Sequence, residues 1–253
     1  MNLNALAQRL DKAAVSATPI QQLSKETTFD LDQAYEIQKQ AIDCRLDRGE
    51  KLIGLKMGFT SEAKMIQMGV HDMIWGRLTD SMLIENGGEL NLSNYIHPRA
   101  EPEICFHISK DIPGEIALED LDEYVDGVAG AIEIIDSRYE NFKFSLEDVV
   151  ADNCSSIGLV IGEWQKPSRD IKHLKMTQSF NCEVVAEGSS ADILGDPWKS
   201  LQAATRLAAQ YNEPIKAGHV LMAGAATAAI FLKPETDVQA DIELLGEVRF
   251  QVI

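Results

Sequence analysis

The chain is short of positive charge, of cysteine and of long apolar runs. Its 253 residues carry 23 Lys and Arg against 40 Asp and Glu, a formal charge of −17. A field of that sign repels phosphate, which argues against a nucleic-acid partner or an anionic membrane surface. Cys44, Cys105, Cys154 and Cys182 are the only cysteines, and no pair has CxxC spacing. A chain of this length needs no disulfide staple, so reduced thiols and a cytoplasmic location are expected. The start, MNLNALAQRLDKAA, puts Arg9, Asp11 and Lys12 where a signal peptide needs an apolar run. The most apolar stretch, Ala217 to Leu232, contains His219 and two glycines and is too short to span a bilayer. It reads as buried core. No repeat or low-complexity tract is present. What remains, 45% apolar and 25% charged residues, is globular composition with ample material for a core.

The first third reads as helical. Leu3, Leu6 and Leu10 form one stripe. Asp30, with Gln33 three residues on, makes a capping signal for a second helix that turns Leu31, Ala34, Ile37, Ala41 and Ile42 inward and stops at Gly49. A strand, KLIGLKMGF, follows, and Thr60 or Ser61 caps a helix SEAKMIQM that ends at Gly69. From about residue 75, ELNL, AEPEICFHI, VAGAIEIID, IGLVIGEW and SFNCEVVAEG read as strands. A helical patch runs from Leu118 to Val125, and another starts at Asp196-Pro197, with Leu201, Ala204, Leu207 and Ala208 inward. VQADIELL and EVRFQVI around Gly246 form a terminal hairpin. The expectation is an α+β protein: a helical region over residues 1–75 packed on a mixed β body over 76–253, the two making one unit.

Four features carry chemistry. In HPRAEPEICFH, strand alternation places Glu101 and Glu103 on one side, roughly 7 Å apart. They are either a solvated face of an edge strand, which Pro102 suits, or a paired-carboxylate site. Glu133 stands in GVAGAIEIID, a strand apolar enough to be buried on both faces, so it needs a partner. That partner is Arg138 or another base, or else a divalent cation shared with Glu101 and Glu103. Three carboxylates without His or Cys at ligand spacing favour Mg²⁺ or Mn²⁺ over zinc. Lys56, in IGLKMGF, is either a packed stem with a hydrated head or a buried lysine with a lowered pKa that shuttles protons or anchors a carboxylate. Thr60 and Ser61 are plain caps or an anion site. Arg138 clamps a substrate carboxylate or pairs with Asp136, and Asp152, Asn153 and Ser155 form a loop that turn chemistry alone explains. His71, His97, His107, His173 and His219 show no metal spacing.

GLKMGFTSEAKMIQMGV, HPRAEPEI, EIIDSRYENFKF and ADNCSS, taken together and in this order, resemble the hydratase/decarboxylase family of the fumarylacetoacetate hydrolase superfamily. The resemblance runs from about Leu31 to Ile253. The Lys-Met-Gly version, the AKMIQMGV helix, His97 and RYENFKF are more similar to its decarboxylases than to its hydratases. It implies a mixed β-sandwich-like roll with added helices. Glu101, Glu103 and Glu133 are implied as ligands of Mg²⁺ or Mn²⁺, Lys56 as an active-site residue, and Arg138 and Ser155 as pocket residues. The implied reaction is decarboxylation of 2-oxohex-3-enedioate (4-oxalocrotonate), a 2-oxo dicarboxylic acid, without an organic cofactor. The resemblance also implies self-association and a complex with the pathway hydratase. Hydration of 2-hydroxypenta-2,4-dienoate is the first alternative, hydrolysis of an acylpyruvate the second, and a non-catalytic partner subunit the third, against which the three costly carboxylates argue. One departure is Ala223-Gly224-Ala225-Ala226-Thr227, where the family pattern has a Gly-Gly pair, so Ala225 is expected to alter that loop.

Overall fold

Two N-terminal helices begin where the sequence caps them. In α1 (Leu3–Val15) the Asn2 side chain accepts the Ala5 N–H at 3.1 Å. In α2 (Leu31–Asp47) the capping box is complete: Asp30 accepts the Gln33 N–H at 2.8 Å, and the Gln33 side chain accepts the Asp30 N–H at 3.0 Å. Leu6, Ala7, Leu10 and Ala13 of α1 are buried, as are Ala34, Tyr35, Ile37, Gln38 and Ile42 of α2. The computed structural model describes residues 2–61, 65–66 and 72–253. The helix expected from Ser61 to Gly69, and His71, fall largely outside the described residues.

The body is two sheets. The larger contains β1 (Leu52–Gly58), β2 (Ile74–Thr79), β3 (Leu83–Ile84), β5 (Arg99–Ile108), β6 (Val125–Ile135), β7 (Ser156–Ile161), β10 (Val220–Ala225) and β11 (Ile230–Phe231). Its order is β2-β1-β10-β5-β6-β7-β3, with β11 pairing β5. The smaller contains β4 (Glu89–Leu90), β8 (Lys175–Phe180), β9 (Glu183–Ser189), β12 (Thr236–Ile242) and β13 (Gly246–Val252), in the order β4-β13-β12-β8-β9. Both are mixed, because β1–β10, β3–β7 and β4–β13 are parallel while the other pairs are antiparallel. Two further described helices are α3 (Leu146–Ala151), packed on α2, and α4 (Pro197–Gln210), packed on β10; α4 starts on the Asp196 cap with Pro197 in its first turn and buries Leu201, Ala204, Leu207 and Ala208.

The two faces of the larger sheet have different jobs. Ile104, Phe106, Ile132 and Ile134 join the main core with Val238, Ile242, Val248 and Phe250 of the smaller sheet. Cys105, Ala131, Leu159 and Met222 form a second cluster with Ile42 of α2, Leu78 and Met82. Residues 105 and 131 point opposite to 104 and 132 because strand side chains alternate. That second face also carries the glutamates.

Three expectations are revised. SFNCEVVAEG is a hairpin: β8 turns into β9 at Asn181 and Cys182, both at positive φ (50° and 66°), the geometry of a tight two-residue turn. The boundary expected at residue 75 cuts through β2, and β1 and β2 are strands of the larger sheet rather than parts of a helical region. The acidic patch is a 3₁₀ segment, Leu118–Glu123. The four cysteines are free thiols, and among the described residues no helix is long and apolar enough to cross a membrane.

The α2 cap gives a direct check. Asp30→Ala removes one half of the capping box and should lower stability by about 1 kcal/mol. Urea unfolding should show an earlier midpoint with an unchanged slope.

Candidate active site

β5 and β6 are paired so that Glu101 lies directly opposite Glu133, and Glu103 opposite Ala131. Strand alternation then puts all three carboxylates on one side, and one oxygen from each lies within 4.8 Å of the others. Lys56 comes from β1, which pairs in parallel with β10 (Lys56 opposite Met222). Its side chain reaches over β10 and β5, and Nζ stands 2.9 Å from Glu133 Oε2 and 3.4 Å from the Cys154 carbonyl, to which it donates. Glu103 and Glu133 are fully buried and Lys56 is 3% exposed. The sequence placed these four residues in three separate segments, and the fold brings them together.

The charges decide the protonation states. Burial pushes the Glu103 carboxyl well above its ordinary value, and the charges of Glu133 and Glu101 add to this; Lys56 and the Gly224 N–H oppose it without winning. Burial alone would lower Lys56, as expected from the sequence. The surrounding negative charge, Glu133 first, outweighs it and raises Lys56 above its ordinary value. The lysine is therefore held as a cation, which corrects the expectation of a lowered pKa. Glu133 pairs with Lys56 rather than with Arg138.

Lys56 alone does not satisfy the two buried carboxyl groups, Glu103 and Glu133. Glu103 Oε1 and both oxygens of Glu133 accept no hydrogen bond; the Lys56 approach is a charge contact without hydrogen-bond alignment. Buried carboxylate oxygens without donors are costly. Converging hard oxygen donors of this kind suit a divalent cation such as Mg²⁺ or Mn²⁺.

The backbone around the cluster is tightly specified. Gly224 adopts φ +109° and its N–H donates to Glu103 Oε2 at 2.8 Å. Buried Thr60 packs on that glycine, so a Cβ there would lie 2.2 Å from Thr60 Oγ1. Ala225 is not among the positive-φ residues, so only the first position of the expected Gly-Gly pair requires glycine. Asn153, Cys154 and Ser155 are all at positive φ (51°, 51° and 60°). The Asn153 side chain holds this turn against β2: it accepts the Arg77 N–H at 2.8 Å and donates to the Arg77 carbonyl at 2.9 Å. The turn presents the Cys154 carbonyl to Lys56 and buries the Ser155 hydroxyl, whose Oγ has no partner.

Arg138 behaves otherwise than expected. It does not face the carboxylates, and it does not pair with the Asp136 side chain. Its Nε pairs with Asp152, its Nη2 donates to the Asp152 carbonyl, and its Nη1 donates to the Asp136 carbonyl at 2.7 Å. Its donors are committed to fixing the turn that carries Ser155. The Asp136 carboxylate instead accepts the Ile96 and His97 N–H groups at 2.8 and 2.9 Å. The His97 ring lies 2.8 Å from the Ser137 carbonyl and packs on Phe142, a structural role. Ser61 is half-buried, and its carbonyl accepts the Met65 N–H at 3.0 Å. The Gly224 amide and the Cys154 carbonyl escaped the sequence reading, since backbone groups leave no residue-type signal.

Converging carboxylates on this two-sheet frame have known counterparts. Residues 59–253 match the fumarylacetoacetate (FAA) hydrolase C-terminal family, and the chain belongs to the fumarylacetoacetate hydrolase family. Among its relatives, the 4-oxalocrotonate decarboxylase of a Pseudomonas species is 50% identical over 250 residues, covering 99% of this chain and 98% of the relative. The 2-keto-4-pentenoate hydratase of Burkholderia vietnamiensis is 33% identical, covering 98% and 96%. The structure of 4-oxalocrotonate decarboxylase from Pseudomonas putida G7, complexed with magnesium and adipate, superposes with a TM-score of 0.95 at 35% identity, covering 99% of this chain and 97% of that one.

Gly224→Ala should be severe. A methyl group would collide with Thr60 in a backbone conformation that L residues avoid, for a loss of about 2–5 kcal/mol. Thr60→Ala in the same chain should restore part of that loss in thermal unfolding. Equal instability with and without Thr60→Ala would refute the steric account.

Proposed function

We propose that this protein decarboxylates 2-oxohex-3-enedioate to 2-hydroxypenta-2,4-dienoate and CO₂, with Glu101, Glu103 and Glu133 holding Mg²⁺ or Mn²⁺. The observation that carries the proposal is the buried set of three converging carboxylates beside Lys56, in a chain half identical over its whole length to a 4-oxalocrotonate decarboxylase. The hydratase relatives are less similar, which favours this reading over hydration.

The substrate carries its own electron sink. As the C5–C6 bond breaks, its electron pair forms C4=C5, the C3=C4 pair moves to C2=C3, and the C2 carbonyl oxygen takes the charge. A divalent cation bound at the three glutamates would supply a Lewis acid for that developing charge. Lys56 is positioned to hold the 2-oxo acid end and to give its Nζ proton to the C2 oxygen, completing the dienol. Its proton is bound tightly while the carboxylates around it are uncompensated, and becomes easier to release once their charge is neutralised. The apolar flank of Cys105, Ala131, Leu159 and Met222 keeps water away from the cluster. Thr60 acts through Gly224 on Glu103, and Arg138 acts through Asp152 on the turn of Ser155. Ser155 and Ser61 are the remaining polar groups assigned to the substrate. By the family resemblance, the protein self-associates and works beside the hydratase that consumes its product, which light scattering with and without that hydratase would detect.

Pure protein with Mg²⁺ should release CO₂ from 2-oxohex-3-enedioate, followed by gas evolution and ultraviolet absorbance. Turnover of 2-hydroxypenta-2,4-dienoate without CO₂ from the first substrate would sink the decarboxylase reading. Glu133→Gln should reduce Mg²⁺-dependent activity by more than about 100-fold while the fold persists.

Cation binding should also be proton-linked. The raised Glu103 carboxyl means that the metal-free folded state holds a proton that the unfolded chain releases at lower pH. Stability of the metal-free protein therefore falls as pH rises from the ordinary glutamate value toward the raised one, and apparent Mg²⁺ affinity climbs over the same window. Calorimetric Mg²⁺ titration in buffers of different ionisation enthalpy should show proton release. An enthalpy independent of buffer contradicts the raised carboxyl.

A further inference from the structure

β5 carries one more charged group on the side of Glu101 and Glu103. Arg99 lies two residues before Glu101, so it shares that side, about 7 Å along the strand. Its guanidinium is clamped between two rings: Cζ is 4.1 Å from the Phe142 centroid and 4.0 Å from that of Phe231. Phe231, on β11, is its direct cross-strand partner, and Phe142 comes from the turn after β6. Rings on both sides fix the position of the group and leave its edge donors for a partner.

Among the described residues that partner is missing. Arg99 Nε is buried and donates to nothing. Among the described residues, Arg9, Arg45, Arg48, Arg77, Arg138, Arg169, Arg206 and Arg249 each form an ion pair, and Arg99, the ninth arginine, forms none. This happens in a chain with 40 acidic residues and with Glu101 next on the same face. Half-buried, clamped and without an ion pair among the described residues, the guanidinium is prepared for a planar anion from outside, which it can bind through two parallel N–H groups.

We propose that Arg99 binds the distal carboxylate of a 2-oxo dicarboxylic acid whose 2-oxo acid end lies at Glu101, Glu103 and Glu133. The assignment rests on the function proposed above and adds the residue that selects a diacid over a monoacid. An extended six-carbon diacid spans about the two strand rises between Arg99 and the glutamates. The Arg99 contact is strongest while that carboxylate still carries its charge and weakens as CO₂ forms. It therefore contributes to ground-state binding, and its loss falls on KM more than on kcat.

The test compares two inert ligands in the presence of Mg²⁺: 2-oxohexanedioate, and 2-oxohexanoate, which lacks only the distal carboxylate. Calorimetric binding is measured for the unaltered protein, Arg99→Met and Arg99→Lys, with thermal melts confirming the fold. Arg99→Met should weaken 2-oxohexanedioate at least tenfold and change 2-oxohexanoate less than threefold. Arg99→Lys, which keeps the charge without the planar fork, should fall between. With 2-oxohex-3-enedioate, Arg99→Met should raise KM at least tenfold with kcat unchanged or higher. Equal weakening of both ligands, or of neither, overturns the assignment. Unaltered protein that binds neither 2-oxo acid overturns the functional reading itself, and is thereby distinguished from failure at Arg99 alone.

Discussion

The structure is organised around a charge imbalance kept out of water. Glu103 and Glu133 are fully buried, Glu101 stands beside them, and Lys56 pairs with Glu133. Removing ions from water costs several kcal/mol each in effective terms, and a single ion pair does not offset three carboxylates. Such a cluster persists only if the scaffold around it is rigid enough to forbid relaxation. The Gly224 N–H on Glu103, the Cys154 carbonyl on Lys56 and the apolar cluster at Cys105, Ala131 and Met222 provide that rigidity. A divalent cation held by the three glutamates would offset that cost.

The surrounding polar network serves the same end. Arg77 ties Gln38 of α2 at 2.8 Å to Glu213 at 2.5 Å, and stacks over Trp75. Its backbone pairs with the Asn153 side chain, and Arg138 anchors the adjacent Asp152. Three consecutive left-handed residues without a glycine cost of order 1–3 kcal/mol each, and they persist because both flanks are held by buried arginines. The two arginines thus hold the turn that carries Ser155.

What the sequence revealed and concealed follows from the range of each signal. The Asp30 capping box, the Asp196-Pro197 start and the hairpin at Gly246 are local chemistry, and all three appear where expected. β10, VLMAGA, is short, apolar and rich in small residues, a pattern that periodicity cannot assign to strand or helix, so it was legible only as core. β8 and β9 merged because Asn-Cys is a weaker turn signal than Asn-Gly. At the site, a period of two was enough to set Glu101 beside Glu103, and the apolar surroundings of Glu133 were enough to demand a partner. That the partner is Lys56 was not legible, because β1 and β6 are separated in the sheet by β10 and β5, an arrangement no local pattern encodes. The same holds for Arg138, whose partner Asp152 lies across a strand connection.

The pairing of Glu101 with Glu133 and of Pro102 with Ile132 has a further consequence. Alternate residues of β5 and β6 serve the cluster and the contact between the sheets, so the two surfaces share one register. A slip by a single residue would drive the carboxylates into the packed layer against Ile242 and Val248 and turn Ile104 and Ile132 toward the cluster. No misaligned but otherwise sound version of this sheet is available to the chain. The proofreading of the binding face is done by the hydrophobic layer behind it, and a molecule that folds has already assembled its carboxylates.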